Sequence, residues 1–376
     1  MTPHEASGTT VAPAPDVESD RLARGRPLWQ HAVALFVLLL ALLPVLGGVG
    51  LFSGDEGAAL AQADLLLDEG RWGFDPPRPD LDPDNVVGPF DRADHITGAP
   101  FAKHPAYPVL LVPFVAVAGT AGAKILSLAG TVLAALAAAL IAGRLRPGLE
   151  RTTLWIAGLV SPLLFNGWVV IAHTLAAAAC GFAALLVLDG LGGPSRRSRV
   201  IGVSVLVLAG ILMRNEAVLF GIALGLGAIG VGVRERSRPV VGLGLAGLVG
   251  TGAGYVLDTY LTDLVASPDP FVVGQTLQSS NYVLDRVFPT MQTLVMPVRG
   301  AIDGYDIVAM LSLGFAVAAA VVVRRRPEDQ SGIILMAALA AGAALLRLTG
   351  PATAIPGLLP AFPLLVVGVI QLSRQR

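Results

Sequence analysis

The 376-residue chain has one cysteine, Cys180, set inside an apolar run. A lone thiol excludes an intramolecular disulfide and any thiolate metal cluster, and it leaves the redox compartment unspecified. Charge is scarce as well. Asp, Glu, Lys and Arg make up 14% of residues and the net charge is −1, so nothing points to nucleic acid as a partner. No carboxylate occurs between Arg151 and Asp189, and no internal repeat is evident. What the chain has in quantity is apolar sequence, 54% of it, in long runs separated by short arginine-bearing links. That pattern predicts an all-α, polytopic transmembrane bundle. Residues 1–27, rich in Pro, Ala, Ser and Thr, read as a disordered cytoplasmic tail ahead of a transmembrane domain over 28–376. The run at 28–50 is too long for a signal-peptide core and is expected to be retained as a first span.

Seventeen of the 26 Lys and Arg residues fall in six short segments: Arg21/Arg24/Arg26, Arg144/Arg146/Arg151, Arg196/Arg197/Arg199, Arg234/Arg236/Arg238, Arg324/Arg325/Arg326 and Arg374/Arg376. The positive-inside rule assigns all six to the cytoplasm. Ten spans then follow, near 28–50, 122–143, 153–172, 174–189, 199–213, 217–233, 239–257, 305–323, 331–347 and 355–371, with both termini inside. The segment "HPAYPVLLVPFVAVAG" (104–119) would invert the arginine order if it crossed, so it is expected as a re-entrant or juxtamembrane piece. The extracytoplasmic face then carries two large loops, 52–104 and 258–304. The first holds 11 carboxylates against four Lys and Arg residues.

The polar residues of interest all fall on that face. "SGDE" (53–56) fits a capping box, which predicts a helix from there to about Glu69. Capping explains Glu56 and leaves Asp55 as a first-turn charge favoured by the helix dipole. The functional alternative makes Asp55 a general base toward a hydroxyl, or a ligand for a divalent cation. Lys103 and His104 precede Pro105 and Pro108, which hold them near the surface; snorkelling at an interface competes with a grip on a lipid phosphate. His173 sits at the next outer turn, as an interfacial polar tip or as a ligand. Arg214 and Glu216, in "MRNEA", form either a local ion pair or a phosphate-facing arginine whose planar fork holds two oxygens at once. Arg347 invites the same two readings.

Three stretches in this order, "SGDEGAALAQADLLLDEGRW", "AKHPAYPVLLVPFVAVAG" and "GILMRNEAVLFGIALGL", resemble the GT-C superfamily of integral-membrane glycosyltransferases, which use polyprenyl-phosphate-linked sugars, as the mannosyl- and arabinosyltransferases do. The resemblance covers roughly residues 28–235. It implies Asp55 as catalytic base with Glu56 as its partner, and substrate contacts at Lys103, His104, His173, Arg214 and Glu216. A Mg or Mn ion held by Asp55 and His173 is also implied. The family commonly has a further carboxylate at the outer turn where this chain has Ala172-His173. It also often carries a C-terminal extracytoplasmic domain, which is not expected within residues 28–376 beyond the last span. The partners implied are a polyprenyl-phosphate sugar donor, a glycan, lipid or protein acceptor, and membrane lipids, with the chain in the cell membrane. A transporter or lipid flippase would also have about ten spans, but the sequence offers no broken-helix pair in corresponding halves and no carboxylate at expected mid-span depth; an inactive scaffold of the same shape is compatible with the missing second carboxylate.

Overall fold

A backbone surrounded by hydrocarbon must close its hydrogen bonds within itself, and helices do so segment by segment. In the computed structural model, which describes residues 27–46, 54–72, 104–145, 147–160, 162–191, 197–215 and 217–265, every regular element is an α-helix. They are α1 (Leu28–Leu46), α2 (Gly54–Asp68), α3 (Ala106–Leu145), α4 (Glu150–Leu159), α5 (Pro162–Gly167), α6 (His173–Leu191), α7 (Arg197–Met213), α8 (Ala217–Arg234) and α9 (Arg238–Val265). Five of these, α1, α3, α6, α8 and α9, are long and apolar enough to cross a membrane. The tail, the expected spans at 305–323, 331–347 and 355–371, and Arg347 lie outside the described residues.

α3 is the hub on which α1, α2, α4, α5 and α6 pack, while α7, α8 and α9 form a second group joined to it through α6. The shared core is made of alanine and leucine, with Leu35 and Leu39 from α1, Leu128 and Ala138 from α3, Leu154 from α4, and Leu224 and Leu243 from α8 and α9. Small residues let backbones approach where no hydrophobic drive separates helix from lipid. At Gly250 a Cβ would stand only 2.5 Å from the Ser204 carbonyl oxygen, so α9 lies directly against α7 there.

α3 is two arms joined at a sharp bend. Ala118 and Gly119 leave helical geometry, and Gly119 takes φ 54°, ψ −141°, a conformation that favours glycine. Tyr107, near the start of the first arm, lies beside Ser127 of the second. Along a straight helix those twenty steps would span about 30 Å, so the first arm must fold back along the second. The segment 104–119 thus contains a helical arm of its own, which ends at the predicted boundary.

Two expectations need correction. The span at 153–172 is interrupted: α4 stops at Leu159, α5 covers one and a half turns, and residues 168–172 form an irregular turn before α6. Ser161-Pro162 explains the break, because proline supplies no N–H and disfavours helix at the residue before it. The second large loop does not begin at 258 either, since α9 continues to Val265 and buries Asp258 in the bundle.

Candidate functional site

Alternation of helix direction brings the bend-proximal part of α3, the start of α6, the α7–α8 reversal and the end of α9 to one end of the bundle. A separate apolar cluster seals that end, with Ala59 and Leu60 of α2, Leu111 and Val115 of the first arm of α3, Leu126 of the second, and Val170 and Ala172 of the irregular turn. At the opposite end Arg144 pairs with Asp189, tying α3 to α6.

Polar side chains hold the irregular turn in place. The Glu56 carboxylate, 1% exposed, accepts the Val170 N–H at 2.9 Å. Ser127 donates to the Ile171 carbonyl at 3.2 Å and Thr131 to the Leu163 carbonyl at 3.0 Å. Thr174 donates to the Ser127 carbonyl at 2.9 Å, and the Trp168 indole N–H to the Leu39 carbonyl at 3.4 Å. Non-helical backbone in this setting requires protein partners for its amides and carbonyls, and Glu56 and Ser127 supply them at Val170 and Ile171.

The Glu56 charge acts on two further groups, the Lys124 ammonium and the Tyr107 phenol, both in buried residues of α3. A carboxylate and an ammonium removed from water together compensate one another, whereas either alone would be costly. Glu56 therefore has a bundle-facing function beyond the capping partnership that its spacing predicts.

His104 precedes α3 with a left-handed backbone, φ 48°, and its carbonyl accepts the Tyr107 N–H at 3.0 Å, starting the helix. Its Nδ1 stands 3.6 Å from Oδ2 of Asp258, with the two side chains 12% and 4% exposed. His173 is the first residue of α6 and is buried beneath the surface, not displayed at a turn tip. Arg214 follows α7; its N–H donates to Gly210 and its carbonyl accepts from Ala217, making the reversal into α8 tight. Asp55 stands in the first turn of α2. The Asp55 side chain, Lys103 and Glu216 lie outside the described residues.

Lys124, Tyr107 and Asp258 were not anticipated. Lys124 was visible as the charge inside "TAGAKILSLAG", and Asp258 as a carboxylate that a helix-spaced run, "YVLDTYLTDLV", carries past the expected end of its span. Among the described residues no three His, Cys, Asp or Glu side chains converge to hold a metal ion, so the Mg or Mn expected at Asp55 and His173 has only His173 in the described structure. The chain shows no match to a protein-family model, to a curated protein or to a solved structure.

Proposed function

We propose that the chain is a membrane-embedded glycosyltransferase that moves a sugar from a polyprenyl-phosphate donor to an acceptor hydroxyl on the extracytoplasmic side. The supporting observation is the gathering of Glu56, Lys124, His104 and His173 at one end of an apolar bundle, beside the helix turn that carries Asp55. A phosphate anchored by a lipid tail reaches protein at such an end, and cations fixed there act on charge that develops as the donor bond breaks. In the proposed reaction the acceptor oxygen attacks the anomeric carbon with inversion. The carbon–oxygen bond to phosphate breaks, its electron pair stays on the phosphate oxygen, and the acceptor proton passes to Asp55. Lys103 and Arg214 steady the departing phosphate. Glu56, committed to Val170 and Lys124, supports the turn and leaves the base role to Asp55.

A polytopic transporter or flippase draws on the same buried groups, because Lys124 and Asp258 within apolar helices are the kind of intramembrane charge that marks a transport path. Labelled sugar presented on polyprenyl phosphate to membranes containing the protein separates the alternatives: a transferase forms a new glycosidic bond, a transporter relocates the label unchanged, and an inactive scaffold does neither. Asp55→Asn should express normally and lose transfer. Wild-type transfer by that variant would reduce Asp55 to a helix-start residue.

A further inference from the structure

His104 and Asp258 come from distant parts of the chain and meet where the first loop returns to the bundle and α9 leaves it. Asp258 is buried on a continuous helix, and among the described residues its Oδ1 has no hydrogen-bond partner. A carboxylate in that position is unfavourable unless a neighbour compensates its charge. His104 Nδ1 is likewise buried without a hydrogen bond and faces Oδ2 at 3.6 Å, slightly beyond bonding length. Such contacts are often long in the free protein and shorten when substrate binds. His104 also holds a left-handed backbone that non-glycine residues adopt at a cost. That backbone sets the ring at α9 immediately ahead of α3, opposite an Asp258 fixed on a continuous helix.

When one ring nitrogen of a histidine faces a carboxylate, the other is left to work. We infer that Asp258 is a positioning residue for His104, committing Nδ1 and leaving Nε2 to contact the phosphate of a polyprenyl phosphate. The ring is 12% exposed, so it is not sealed from a ligand. With Nδ1 turned to Asp258, Nε2 is the nitrogen that can bond to the anion, and that bond would be made without any covalent change. The assignment rests on the proposed glycosyl transfer for its choice of ligand, and its test does not need turnover.

The full-length protein in detergent micelles is treated with diethyl pyrocarbonate, and acylation of His104 is followed by peptide mass spectrometry, with and without polyprenyl phosphate. A histidine-containing peptide added to the same micelles serves as the reference for reagent consumption. Polyprenyl phosphate should protect His104 and not the added peptide. Asp258→Asn should raise the concentration needed for protection about 10-fold, the lower end of what loss of an outer partner costs a histidine site. Asp258→Glu, which keeps the charge, should recover part of that loss and provides the comparison if the asparagine variant is not monodisperse. Protection unchanged in both variants, or no protection of the wild type, overturns the assignment. Equal protection by inorganic phosphate overturns the lipid-phosphate choice. If the wild type transfers no sugar yet protection follows Asp258, the glycosyltransferase proposal falls while the positioning role stands.

Discussion

Replacing Glu56 with alanine would remove two supports at once. The Val170 N–H, now bonded at 2.9 Å in a buried turn, would lose its acceptor, and Lys124 would lose the carboxylate whose charge it feels. An orphaned buried amide costs about 1–3 kcal/mol. Breaking a fully buried ion pair from one side costs roughly 3–5 kcal/mol, a figure to be lowered here because Lys124 lies near the end of the bundle. A total of about 3–5 kcal/mol corresponds to a fall in Tm on the order of 10 °C for a domain of this size. Glu56→Gln keeps an oxygen for Val170 and loses only the charge, so about 1–2 kcal/mol is expected, the reduced share of a one-sided loss. The decisive comparison is a third variant, Glu56→Gln combined with Lys124→Met. Deleting both charges should return most of the loss, since an apolar replacement for a buried pair is often neutral or better. Thermal unfolding in one detergent, read by the fluorescence of the four tryptophans, supplies the ranking. Equal Tm for Glu56→Ala and wild type, or no recovery in the double variant, would refute a structural pairing of Glu56 with Lys124.

The side of the membrane can be read by thiol labelling, because Cys180 is buried and contributes little background. Asp82→Cys should react with an impermeant reagent from outside and Ser198→Cys should not; labelling of both from one side sinks the arginine-based orientation. Arg214→Lys keeps charge and loses the planar fork, so donor affinity in the transfer assay should drop strongly, while Lys103→Arg should be tolerated. Unchanged affinity in Arg214→Lys removes the bidentate contact. Gly119→Ala meets no neighbour but forces a side chain onto φ 54°, ψ −141°, and should cost on the order of 1–3 kcal/mol in unfolding experiments. Gly250→Ala sits on an unstrained helix, and its cost, about 1–3 kcal/mol, comes from the Ser204 backbone in its way. Wild-type stability of either glycine variant would contradict the bend or the α7–α9 contact respectively.

Local signals in the sequence were enough for much of the bundle. The SGDE cap placed α2 to within a residue, and arginines bracketed α7 and α8 because such residues stop apolar helices at the polar boundary. The Gly119 break was readable as the end of the segment that the arginine order left out of the span count. What escaped depended on partners remote in sequence. Hydropathy treats 153–172 as one run because its averaging ignores that Pro162 removes a donor. It also treats Asp258 as a loop residue because it cannot know that His104 waits for it. Glu56 was legible as a cap residue, whereas its bond to Val170 exists only once α2 is laid against the turn. The base role proposed for Asp55 rests on the sequence and its resemblance alone.

The interrupted segment between α4 and α6 bears on how the protein is made. Its partners in side-chain-mediated hydrogen bonds named above, the Leu39 carbonyl, Glu56, Ser127 and Thr131, precede it in the chain. During synthesis from the N-terminus, the surface that satisfies its exposed amides and carbonyls therefore leaves the ribosome first. A segment unfit to insert alone would meet a finished template when it emerges. Reordering the chain so that residues 150–172 are made before α2 and α3 should strand those groups in lipid and divert the product to degradation, even though every contact of the final fold remains available.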